Sequence, residues 1–172
     1  HPDDEILGVG GTLLKKKSQG HKLAWVIVTK PSKVLNWSKE KISIRKTQIK
    51  EITNKVGFDK VYELDFPAAT LNEESFPSLI KSLNETIKDF SPNEIFLPHV
   101  GDVHSDHQII HKAVMTACRP QPGSTIKRIL SFEVPSATGW ESSTMKSPFI
   151  PNWFQDISQT LQLKIEALEA YD

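Results

Sequence analysis

Cysteine is nearly absent from the 172 residues: the chain holds only Cys118. A single thiol excludes an intrachain disulfide and any metal centre built on several thiolates. It lies in an apolar stretch and reads as a plain buried thiol. Net charge is absent too. The 21 basic and 21 acidic residues cancel, leaving no electrostatic case for a nucleic acid or another polyanion as partner. Long apolar runs are missing: Leu23 to Val28 is the longest, far below the roughly 20 residues of a membrane span. No internal repeat, low-complexity segment or signal peptide stands out, so a cytoplasmic protein is the default expectation. The length suits one domain with a full core.

What the chain does have is two clusters of histidines and carboxylates. One is His1-Pro2-Asp3-Asp4-Glu5, and the other is His104-Ser105-Asp106-His107. Together they offer two or three imidazoles and two or three carboxylates. Two His and one Asp can hold Zn²⁺ and leave a fourth position for water, the pattern of a catalytic site. His1 and Asp4 are three residues apart, so a tight turn can aim both at one point. His104 and His107 have the same spacing on one side of a helical turn.

The remaining pattern alternates strand and helix. Residues 6–18 read as a helix with lysines 15–17 near its C-terminal end, where cations suit the dipole, and Gly20 stops it. Lys22 to Thr29 is a continuous apolar strand, as expected where both faces are buried. Helices follow over 39–56, ending at Gly57, and over 75–90, with a strand from Lys60 to Leu64 between them. Glu94 to Pro98 reads as a strand, Ser105 to Cys118 as a helix, Arg128 to Val134 as a strand, and Asp156 to Tyr171 as the last helix. Residues 135–155 read as a surface excursion. Such alternation predicts an α/β fold, a mostly parallel sheet flanked by helices. Ligands of such sheets sit beyond the carboxyl ends of the strands, where His104–His107 follow Glu94–Pro98.

With these residues in view, the sequence resembles the PIG-L/LmbE-like deacetylases. Both motifs match. So do Gly8-Val9-Gly10-Gly11, Arg45 with Glu51 and Gly57, Pro98 and Asp102, and Phe132-Glu133-Val134-Pro135-Ser136. Pro151-Asn152-Trp153-Phe154 and Lys164-Ile165-Glu166-Ala167-Leu168 extend the likeness over nearly the whole chain. The resemblance implies a Rossmann-like three-layer sandwich. It also implies a strand before His1 and more chain after Tyr171, so that residues 1–172 are one deacetylase domain lacking both. Many relatives have an Asp that binds sugar hydroxyls after the Phe-Pro that ends the third strand. Here Ala68 follows Phe66-Pro67 and cannot make that contact.

By the same resemblance, His1, Asp4 and His107 bind the metal, Zn²⁺ or alternatively Fe²⁺ or Co²⁺. Asp3 is the general base toward water, and His104 faces the oxyanion. Asp106 orients His104, and Glu5 buttresses the metal ligands. Arg45 contacts the sugar or phosphate of the substrate, unless it makes a helix salt bridge instead. The activity implied is removal of acetyl from an N-acetylglucosamine-type glycoconjugate, so the partner is a small-molecule or glycan substrate; a homo-oligomer stays open. Hydrolysis of a sugar-thiol conjugate or another acylated amine is the alternative. A non-catalytic carbohydrate-binding protein is less well supported, because no motif residue is lost. A metal-dependent phosphohydrolase or nuclease would need more bridging carboxylates or a basic face.

Overall fold

A computed structural model describes residues 1–31, 36–140 and 147–171. The chain divides into two compact units, His1–Asp65 with Pro151–Asp172, and Phe66–Ile150. Helices accompany parallel strands, the α/β class expected. Among the described residues the strands pair as two two-stranded sheets. Apolar runs show which segments are buried, whereas which edges pair is a non-local property they do not encode. No described helix is long and apolar enough to cross a membrane.

The first unit opens with α1 (Asp4–Ser18). This helix starts two residues earlier than its apolar periodicity suggests. The Asp3 carbonyl accepts from Ile6 N–H (3.1 Å) and Leu7 N–H (2.9 Å), and Asp4 and Glu5 suit the positive end of the dipole. Ile6, Val9, Leu13 and Leu14 form its buried face. After β1 (Ala24–Lys30) comes α2 (Lys39–Val56). Ser38 caps α2 at its start, its side chain accepting from Lys41 N–H, and Gly57 ends it in the left-handed conformation at φ 77°. Then β2 (Lys60–Pro67) pairs with β1, and Trp25 stacks on Phe58 at 5.3 Å between ring centroids.

The last helix, α5 (Leu161–Leu168), is shorter than the expected 156–171, and a 3-10 turn, Glu169–Tyr171, follows it. Local side-chain bonds compete with helix ahead of it. Asp156 Oδ1 accepts from both the N–H (2.9 Å) and the hydroxyl (2.6 Å) of Ser158. The Thr160 hydroxyl donates to the Gly11 carbonyl at 2.8 Å, and Lys164 Nζ donates to the Leu7 carbonyl at 2.8 Å. This approach requires glycine at position 11. A Cβ there would lie 2.6 Å from Ile157 Cδ1, 3.0 Å from its Cβ and 3.1 Å from its Cγ2.

The second unit contains α3 (Phe76–Phe90), β3 (Glu94–Pro98), α4 (Ser105–Ala117) and β4 (Arg128–Phe132). β3 and β4 run parallel, in register from Glu94↔Arg128 to Pro98↔Phe132. Parallel strands need a crossover, and α4 supplies it. Leu79, Leu97, Ala113 and Val134 are buried at the centre of this unit. Within the expected 135–155 excursion, residues 141–146 lie outside the described residues; 138–140 form a 3-10 turn.

Gly11→Ala should lower stability by about 1–3 kcal/mol, the usual cost of overpacking. Thermal or urea unfolding measures this, and Ile157→Ala in the same chain should recover part of the loss. A fully stable Gly11→Ala would show that the α1–Ile157 packing is wrongly assigned.

Candidate functional site

The first motif belongs to the first unit and the second motif to the second. In the first unit, Asp3 stands at the N-cap of α1, yet its side chain makes no capping bond. Its backbone has φ 115° and ψ −35°, a conformation that costs a non-glycine residue about 1–3 kcal/mol. Both polar groups of the Pro2–Asp3 peptide are held. Arg45 Nη1 donates to the Pro2 carbonyl at 3.0 Å, and the Asp3 N–H donates to Glu5 Oε2 at 3.0 Å. One turn of backbone therefore sends the Asp3 carboxylate one way and the Asp4 carboxylate another. His1 Nδ1 lies 3.1 Å from Asp4 Oδ2.

Burial, with the neighbouring Asp4 charge, pushes the Asp3 carboxyl up to about 6, while Arg45 and His1 draw it back down. Glu5 is buried more completely, and desolvation raises it to about 8 against the pull of Tyr171 and the Asp3 N–H. Tyr171 Oη donates to Glu5 Oε1 at 2.6 Å. Burial and the Glu5 charge hold the phenol far above its ordinary range, so it stays a donor. The Arg45 guanidinium lies over the rings of Trp37 (5.5 Å) and Tyr171 (5.3 Å), and its Nη1 is 3.8 Å from Asp3 Oδ2. Arg45 thus faces the first motif from α2 rather than pairing along its own helix. Expected as a buttress, Glu5 binds the backbone of Asp3.

In the second unit, His104 caps α4: its Nδ1 accepts from Asp106 N–H at 3.2 Å. That bond puts the imidazole proton on Nε2. Next in line is His107, 2 % exposed, whose Nδ1 lies 3.0 Å from Asp102 Oδ2. Here the carboxylate accepts, so the ring lone pair is on Nε2. The two imidazoles stack at 4.8 Å. Asp106 reaches His104 through its backbone, and its carboxylate Oδ2 accepts from Ala69 N–H at 2.8 Å. Outside this cluster, His111 Nδ1 contacts the Pro98 carbonyl at 2.9 Å. Trp140, a residue that could have stacked on a sugar or packed in the core, is 77 % exposed.

Two residues of this cluster escaped the sequence reading as functional groups. Asp102 appeared there only as a lead into the motif. It is fully buried, accepting the His104 N–H on Oδ1 (2.8 Å) and the Thr138 hydroxyl on Oδ2 (3.0 Å). Thr138 in turn accepts the Val134 N–H at 2.9 Å. An acid two residues before a His-x-x-His pair was a usable signal for Asp102, because a coordinating histidine commonly donates its second N–H to a carboxylate. Nothing local marks Thr138, which lies 36 residues away.

Residues 1–118 match the PIG-L family, GlcNAc-PI de-N-acetylase. The chain is similar to the Uncharacterized deacetylase YaiS of Escherichia coli, 28% identical over 177 residues that cover 99% of this chain and 86% of the relative. A Probable N-acetyl-alpha-D-glucosaminyl L-malate deacetylase 2 of Bacillus cereus is 26% identical, covering 99% of this chain and 79% of the relative. Among solved structures, the 4-carboxy-2-hydroxymuconate hydratase GalB of Pseudomonas putida has the same fold. Its TM-score is 0.74 at 17% identity, over 99% of this chain and 75% of that one.

Thr138→Val should cost about 1–3 kcal/mol, since it orphans the buried Val134 N–H and removes a donor from Asp102. Chemical denaturation reads this loss, and Thr138→Ser should restore most of it. Equal stability of the Val variant and the parent would contradict the assigned network.

Proposed function

Because the chain belongs to the PIG-L family of GlcNAc-PI de-N-acetylases, we propose that it is a metal-dependent N-deacetylase acting on an N-acetylglucosamine-type glycoconjugate. The observation that carries this reading is the buried Asp102–His107 pair. A carboxylate on Nδ1 fixes the tautomer whose Nε2 can coordinate a cation, an arrangement typical of metal-ligating histidine. The donor chemistry fits. His1, Asp4 and His107 would hold the ion, two imidazoles and one carboxylate being suited to Zn²⁺, with Fe²⁺ or Co²⁺ as alternatives. When bound, the metal supplies Lewis acidity toward an amide carbonyl and brings the pKa of a water toward about 7.

Asp3 takes the proton of the attacking water in this reading and later delivers it to the departing amine. Its raised pKa, about 6, suits a group that must both accept and return a proton. The Nε2–H of neutral His104 donates to the oxygen that gains negative charge as the carbonyl is attacked. A second acceptor role for that imidazole is closed, because Nδ1 is engaged by the first turn of α4. Asp106 anchors the same turn to Ala69. Arg45 and Glu5 hold the Pro2–Asp3 peptide, and the Arg45 guanidinium lies over the rings of Trp37 and Tyr171.

The relatives support a deacetylase, and the N-acetylglucosaminyl substrate named for the Bacillus protein supports an amino-sugar amide. One feature favours the alternative of a sugar-thiol or other acylated amine. Ala68 is 5 % exposed and apolar, so it offers no acceptor to a sugar hydroxyl.

Free-amine release from a panel of N-acetylglucosamine conjugates tests the reading. Turnover should be abolished by a chelator and restored by Zn²⁺; turnover indifferent to chelation would end the metal assignment. Asp3→Asn should keep its metal and lose about 10²–10⁴-fold in kcat. His104→Ala should lose about 10²–10³-fold, also with metal retained, whereas His107→Ala should lose the metal itself. If His104→Ala loses metal and His107→Ala does not, the two histidines have exchanged roles.

A further inference from the structure

The strained peptide at the first motif is held by more than the motif. We propose that Tyr171 is a positioning residue for Asp3, acting through Glu5 and Arg45. This inference rests on the deacetylase reading for its catalytic consequence, but its conformational part stands on the geometry alone.

Rotating the Pro2–Asp3 peptide is what would return Asp3 from φ 115° to an ordinary value. That rotation would break two bonds at once, since Arg45 holds the carbonyl and Glu5 holds the N–H, each at 3.0 Å. Neither holder is placed by its own helix alone. The Glu5 carboxyl is buried and is fixed through its other oxygen by the Tyr171 hydroxyl at 2.6 Å. The Arg45 guanidinium lies over the Tyr171 ring, 5.3 Å from its centroid, with Trp37 as its other aromatic contact at 5.5 Å. Tyr171 therefore touches both clamps, one with its hydroxyl and one with its ring face. Those contacts join residue 171 to residue 5 and residue 45, so the α5 end of the chain helps set the direction of the Asp3 carboxylate. A carboxylate acting on a proton must sit within hydrogen-bond reach of it, and a small turn of this peptide moves the group out of reach.

Three readouts on the full protein test this. Tyr171→Phe keeps the ring and removes the hydroxyl. It should lower kcat about tenfold with KM unchanged, the split expected when only transition-state geometry is lost, and bound metal should stay the same. Amide hydrogen exchange at Asp3 should accelerate about tenfold, because its acceptor is no longer held. Adding Glu5→Gln to Tyr171→Phe should bring little further loss, as expected when both substitutions break one chain of contacts. Unchanged kcat in Tyr171→Phe overturns the proposal, and so does reduced kcat with unchanged Asp3 exchange, or a loss that appears in KM or metal content instead. Exchange needs no substrate. If the wild type turns over no amide at all, the deacetylase reading fails by itself; faster Asp3 exchange would then still support the clamp, and unchanged exchange would overturn it.

Discussion

Asp102 has no exposed surface, and a carboxylate so placed costs several kcal/mol unless donors surround it. The second unit is arranged to supply them. The end of β3 leads into Asp102, the first residues of α4 return a backbone N–H and an imidazole to it, and the turn after β4 adds a hydroxyl. Gln108 completes the enclosure by donating to the Asp102 carbonyl at 2.7 Å. Removing any one donor leaves the same buried charge with fewer partners, so the three elements are interdependent. One consequence is that His107 is held in one tautomer.

The first unit handles its motif differently, with strain rather than a buried pair. Asp3 adopts a backbone conformation that disfavours any side chain larger than hydrogen. It is kept there by bonds to a single peptide and by the aromatic enclosure of Arg45. The dipole ordinarily explains acidic residues at a helix start, but for Asp4, whose Oδ2 also meets His1 Nδ1, that explanation is incomplete. It does not reach Asp3, whose side chain is withheld from capping, or Glu5, which is buried and binds backwards to Asp3. Three consecutive acids thus serve three separate physical ends, which a charge count along the sequence would merge into one.

How much of this was legible in the sequence depends on whether the cause was local. The end of α2 at Gly57 and the crossover helix between β3 and β4 follow from turn chemistry and apolar period, and both appear where expected. The early start of α1 and the late start of α5 do not: in one case the Asp3 carbonyl takes the first helical N–H groups, and in the other the side chains of Asp156 and Thr160 compete with the backbone. Pairing of the strands is non-local and was unreadable. So were the partners of the site, Thr138 for Asp102 and Tyr171 for Glu5, since neither has a spacing that marks it. Residue types visible in the two motifs named the chemistry; the residues that aim those groups come from distant segments.

The hydratase with the same fold shows why that distinction matters. An α/β scaffold of this kind carries more than one reaction, so the fold cannot choose between them and the site must. Most of the groups proposed for amide hydrolysis are set by bonds described above, but the contact that would read the sugar is not among them. Ala68 is buried and apolar. Its neighbour Ala69 takes the left-handed conformation at φ 63° and gives its N–H to Asp106. The loop after β2 therefore directs its polar contact inward, to the first turn of α4. A loop used in this way ties the residues after β2 to the turn that His104 caps.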